Sequence, residues 1–128
     1  MLTIKLNDRF SLRNKVSIVT GGCGFFGNQI TKSLSKLNSK IILIDINKRK
    51  IDEINKKNLK NNIEAIFAAI TNEKVLQRKA KMIIKKYGKI DILVNNAAID
   101  YKPTKKLNIK DDFENTNLDS WNKELILV

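Results

Sequence analysis

The chain has 128 residues, 42% of them hydrophobic, and carries 25 Lys and Arg against 13 Asp and Glu for a formal charge of +12. That length suits one domain with a core of its own, and the lack of histidine with a single cysteine, Cys23, excludes a histidine base, an internal disulfide and the usual zinc clusters. The charge is not read as a nucleic-acid interface: it comes from 21 lysines scattered over polar helix positions, without the arginine forks and aromatic platforms that such binding uses.

Met1 to Arg13 carries Lys5, Arg9 and Arg13 and has no signal-length apolar core. Nowhere do roughly 18 apolar residues run together, so a soluble, cytoplasmic protein with no membrane partner is expected. Val16 to Thr20 is a β-branched run closed by glycine, the pattern of a buried strand. The period then changes: Phe26, Ile30, Leu34 and Leu37 form an apolar stripe on a helix, and Phe25, Phe26 and Tyr87 are assigned to the core. Ile41 to Ile44 is a second strand, almost continuously apolar as strands covered on both faces are, and Asp45 ends it.

Asn47 is placed to cap a lysine-rich helix that packs through Ile51, Ile54 and Leu59. Ile63 to Ala68 reads as a third strand. Thr71 or Asn72 caps a longer helix with Leu76, Ala80, Ile83, Ile84 and Tyr87 on one face and Gly88 as its stop. Ile90 to Val94 is a fourth strand. Beyond Ala98 come a lysine-rich loop with Pro103 and a last helix from near Asp119 through Trp121 and Leu125 to Val128. The apolar run Leu125 to Val128 with no polar cap is read as an interrupted domain.

Strands alternating with amphipathic helices imply an α/β fold, a doubly wound parallel sheet of the Rossmann type in the order 3-2-1-4 with its C-terminal half missing. Residues 1–128 are accordingly expected to be a single, truncated domain of that fold. Strand four would lie at an open hydrophobic edge, so the chain by itself is expected to self-associate or to unfold easily.

Four of the five glycines, Gly21, Gly22, Gly24 and Gly27, crowd the turn between the first strand and the first helix, in "VTGGCGFFGNQI". Such a turn presents bare amides and a helix N-terminus to an anion, and side chains would keep a pyrophosphate away. A carboxylate is then required at the end of the second strand to bond the ribose, and Asp45 stands 18 residues after Gly27. A carboxylate followed by Ile46 instead of arginine accepts from a 2′-hydroxyl and repels a 2′-phosphate, which favours NAD over NADP. Cys23 is read as a small filler of the loop, and Asp111, Asp112 and Glu114 as a solvated loop, with no metal site.

Several segments resemble one family, the short-chain dehydrogenase/reductases: "FSLRNKVSIVTGG", "TNEKVLQRKAKMIIKKYGKIDILVNNAA" with its Asn95-Asn96-Ala97-Ala98, and "NLDSWNKELILV". The resemblance implies an oxidoreductase transferring hydride between a nicotinamide cofactor and a carbonyl or alcohol. It implies cofactor contacts from Gly21, Gly22, Gly24, Phe26, Gly27, Asp45, Ile46, Asn95 and Ala97, with Asn95 tying neighbouring strands and Ala97 flanking the nicotinamide. A homo-oligomer is implied for the full-length enzyme.

The chain departs from the family pattern in three places. "TGGCGFFG" is spaced like the extended branch of sugar-nucleotide epimerases and dehydratases, whereas Asn-Asn-Ala-Ala sides with the shorter dehydrogenases. The aspartate that bonds the adenine amine in the family aligns with Ala69. The catalytic serine and Tyr-x-x-x-Lys would fall beyond Val128, so no catalytic residue is assigned and the chain alone is expected to be inactive. Tyr101 to Lys105 spells Tyr-x-x-x-Lys only by chance, because Pro103 breaks the helix that the pair needs. A non-catalytic dinucleotide-binding module is the alternative from another class.

Overall fold

The computed structural model describes residues 10–57 and 62–98 and Leu118. The chain divides into two units, Met1–Ala97 and Ala98–Val128, and all the elements below belong to the first. They run β1 (Val16–Thr20), α1 (Phe25–Lys36), β2 (Lys40–Asp45), α2 (Lys48–Lys57), β3 (Ile63–Phe67), α3 (Glu73–Tyr87) and β4 (Ile92–Val94). Leu59, the Tyr101–Lys105 segment, the acidic residues Asp111, Asp112 and Glu114, and the expected last helix lie outside the described residues.

The strands form one parallel sheet in the order β3-β2-β1-β4, as the alternating pattern demands. Period-two alternation splits the core between the two faces. Val16, Ile18, Ile42, Ile44 and Ile66 face α3, which contributes Ile83 with Val75, Leu76 and Tyr87. Val19, Ile41, Leu43 and Ala65 face the other way, toward Ile30 and Leu34 of α1 and Ile51 and Ile54 of α2. Helices on both faces make the sheet doubly wound.

Local chemistry sets the element ends. Asn47 caps α2 by accepting from the Lys50 amide at 3.1 Å. Of the two candidates ahead of α3, Asn72 is the cap: its side chain accepts from the Val75 amide, and Gly88 ends the helix in the left-handed region at φ 82°. β4 begins at Ile92 instead of Ile90, because Asp91 is committed to β1: its carboxylate accepts from the Val16 amide at 2.9 Å, and its own amide donates to the Val16 carbonyl.

Three core assignments are corrected. Phe25 and Phe26 are 77% and 72% exposed, stacked edge to face at 5.4 Å. Gly27 and Thr31 are the buried positions of α1, and Ile30 and Leu34 of the predicted stripe pack beside them, so the inward face is turned from that stripe by less than one residue step. Ile84, placed on the inner face of α3, is 48% exposed, while its neighbour Ile83 takes the core position. Tyr87 packs against the core while its hydroxyl donates to Glu64.

At the outer side of the sheet Asn55 of α2 reaches β3. Its amide nitrogen donates to the Ala65 carbonyl and its oxygen accepts from the Ala65 amide, both at 2.9 Å. Both groups of Ala65 point away from β2, so this one side chain satisfies backbone that β2 cannot reach.

Candidate functional site

In a parallel sheet the strand ends converge where chain order reverses, here between β1 and β4. The glycine turn follows β1 at that point. Gly21 adopts φ +61°, and a Cβ there would sit 2.8 Å from the Ala97 Cα, so the turn and the Asn-Asn-Ala-Ala segment pack backbone to backbone. A Cβ on Gly27 would meet the Gly21 carbonyl oxygen at 2.3 Å and the Gly22 Cα at 2.7 Å. Gly27 therefore brings α1 against the turn itself, and Gly22 lies over Leu43.

Gly24 is the N-cap residue of α1. No side chain caps this helix and no acidic residue occupies its first turn, although most helix starts recruit one or the other. A Cβ on Gly24 would meet only the Gly21 oxygen, at 3.2 Å. The first turn thus presents uncapped amides beside open space, which is what an anionic phosphate needs.

Asp45 closes the other side. Its Oδ2 accepts from the Cys23 amide and its Oδ1 from the Asn47 amide, each at 2.9 Å, which orients the carboxylate. A carboxylate offers about four lone-pair positions, so capacity for ribose hydroxyls remains. Ile46 follows, exposed. Cys23 is buried, and its thiol is pushed up to about 11, first by burial and then by the negative charge of Asp45. It is a filler of the loop and stays protonated at neutral pH.

Among the described residues the tie between β1 and β4 is made by Asn96, the neighbour of the Asn95 to which the resemblance gives a strand-tying role. The Asn96 side chain donates to the Thr20 and Gly21 carbonyls at 3.0 and 3.2 Å. Thr20 Oγ1 accepts from the Asn96 and Ala97 amides at 3.0 and 3.1 Å. Asn95 is exposed at the strand end, and Ala97 is held against Gly21. Ala69, beyond β3, provides no side-chain acceptor. Among the described residues no three Cys, Asp or Glu gather into a possible metal site.

The family model described as short chain dehydrogenase matches residues 15–123, which include every element of the sheet and the whole glycine turn. The chain belongs to the short-chain dehydrogenases.

Short-chain dehydrogenase reductase 3a of Arabidopsis thaliana is 26% identical over 106 residues, covering 82% of this chain and 41% of the relative. The 3-oxoacyl-[acyl-carrier-protein] reductase FabG of Buchnera aphidicola is 33% identical over 85 residues, covering 66% of this chain and 35% of the relative. Among solved structures, a 3-ketoacyl-(acyl-carrier-protein) reductase from Brucella melitensis complexed with NADH superposes with a TM-score of 0.71 at 26% identity, over 91% of this chain and 45% of that one. The Pseudomonas aeruginosa RhlG/NADP complex has the same TM-score, 0.71, at 23% identity and shares the fold. This short-chain dehydrogenase therefore spans less than half the length of the relatives it matches. With the family it shares the Rossmann-type parallel sheet. No described helix is long and apolar enough to cross a membrane.

Proposed function

We propose that the protein binds NAD(H) in preference to NADP(H), and that residues 1–128 form one cofactor-binding domain of an enzyme that interconverts a carbonyl and an alcohol. The observation that carries this reading is the uncapped start of α1 over the glycine turn, with the Asp45 carboxylate bonded to the Cys23 amide 2.9 Å away. The bound nicotinamide would supply the hydride chemistry. The chain's own part is to bind and orient: Gly21, Gly22, Gly24 and Gly27 keep the diphosphate surface bare, with Phe26 contributing from the first turn of α1. Asp45 accepts from the adenosine ribose beside Ile46, and Asn95 and Ala97 border the nicotinamide end.

Asp45 favours NAD because a 2′-phosphate would meet a carboxylate already held in place by two amides. The same reading implies a cytoplasmic protein that forms a homo-oligomer at full length, with a small molecule as substrate and no nucleic-acid partner. Calorimetric titration of the folded chain with NADH and NADPH tests it. NADH uptake with weaker NADPH uptake is expected; absence of uptake of both by a chain with native circular dichroism refutes it.

A further inference from the structure

A ring of four hydrogen bonds joins the glycine turn to the turn between β2 and α2. Asp45 Oδ2 accepts from the Cys23 amide and Oδ1 from the Asn47 amide, both at 2.9 Å. Asn47 Oδ1 accepts from the Lys50 amide at 3.1 Å, and Lys50 Nζ donates to the Cys23 carbonyl at 3.0 Å, which closes the ring. Both polar backbone groups of Cys23 are thereby held from outside the glycine turn, one by a carboxylate and one by an ammonium. The next residue is Gly24, the N-cap of α1.

The lysine is costly where it stands. Lys48, Arg49 and Lys50 all lie in the first turn of α2, where the helix dipole disfavours cations and no acidic residue offsets them. Arg49 finds Glu53 one turn on, at 3.7 Å, but Lys50 reaches out of its own helix to a loop carbonyl. Four flexible methylenes are ordered for that contact, which costs side-chain entropy.

We propose that Lys50 is a positioning residue for the cofactor: by gripping the Cys23 carbonyl opposite Asp45, it fixes the peptide plane that sets the direction of the α1 amides toward the diphosphate. This deepens the proposed dinucleotide reading and rests on it. Lys50 acts on the diphosphate through Cys23 and makes no contact with the adenosine moiety. Its removal weakens ligands that carry a diphosphate and spares one that does not.

The test compares the wild-type chain with Lys50→Met, which keeps most of the stem, and Lys50→Arg, which keeps a cationic donor. NADH and NADPH are titrated calorimetrically, adenosine by ligand-observed NMR, and thermal melts are recorded for all three. Lys50→Met is expected to weaken both dinucleotides about five- to tenfold, with adenosine within about twofold of wild type and Lys50→Arg recovering most of the loss. The proposal is overturned if Lys50→Met binds NADH as tightly as wild type, or if Lys50→Arg is as weak as Lys50→Met. It is overturned equally if adenosine weakens in step with NADH, which marks a general loss of structure, or if NADPH alone weakens, which marks a direct 2′-phosphate contact. A folded wild-type chain that takes up neither NADH nor adenosine refutes the dinucleotide reading itself, a result separate from any difference among the variants.

Discussion

Replacing Gly27 by alanine separates the packing role of the glycine turn from its binding role. The added methyl would sit 2.3 Å from the Gly21 oxygen, 2.7 Å from the Gly22 Cα and 2.9 Å from the Gly21 carbonyl carbon. All three are backbone atoms, so no rotamer relieves the clash, and α1 has to move away until the shortest contact exceeds 3.0 Å. Overpacking of this kind costs up to about 3 kcal/mol, and alanine returns about 1 kcal/mol through its helix propensity, leaving about 2 kcal/mol of destabilisation. For a chain of this size that is a fall in Tm of roughly 6–10 °C. Gly24→Ala is the internal control. Its methyl meets one atom at 3.2 Å and its φ of −75° is ordinary, so its melt should stay within about 2 °C of wild type. Differential scanning calorimetry of both variants decides the matter: a Gly27→Ala chain melting at or above the wild-type temperature refutes the packing account of that glycine.

Ala69→Asp restores the side-chain acceptor that the family uses for the adenine amine; NADH should bind about two- to tenfold more tightly in calorimetry, and unchanged affinity shows that Ala69 lies away from the adenine. Cys23, with its thiol at about 11 against an ordinary 9.0, should react with iodoacetamide at pH 8 about a hundredfold more slowly than a free cysteine. Because the folded thiol binds its proton more tightly than the unfolded one, its contribution to stability is complete below pH 9 and disappears as pH rises through about 11, which melts across that range detect. The Asp91 carboxyl is lowered chiefly by the Val16 amide; burial opposes this, and the Lys15 and Lys89 ammonium groups add to the lowering. Its stabilisation is present above the ordinary carboxylate value of 3.8 and is lost as pH falls below it, so Asp91→Asn should melt below wild type at pH 6 and converge with it in acid.

Strand order, the glycine turn and the placement of Asp45 were legible because each follows from a local pattern: apolar runs of fixed period, glycine where side chains cannot go, a carboxylate at a strand end. Phe26 was misplaced because four apolar residues define a helix stripe only to within one position, whereas the contact between Gly27 and the Gly21 oxygen fixes the rotation. Asn95 and Asn96 are adjacent, so a strand-like period sends them in opposite directions, and no local pattern tells which one meets Thr20. The bonds from Lys50 to Cys23 and from Asn55 to Ala65 cross 27 and 10 residues of chain and join elements whose adjacency appears only once the sheet is assembled.

The Asn55 amide behaves toward Ala65 as a counterfeit strand one residue long. It saturates the middle of β3 yet offers no repeating backbone onto which another chain could zip, so that border of the sheet is sealed against templated growth without a further strand being built. Exchanging Asn55 for leucine would unseal it while hardly altering the interior, and association of the variant should then proceed through β3.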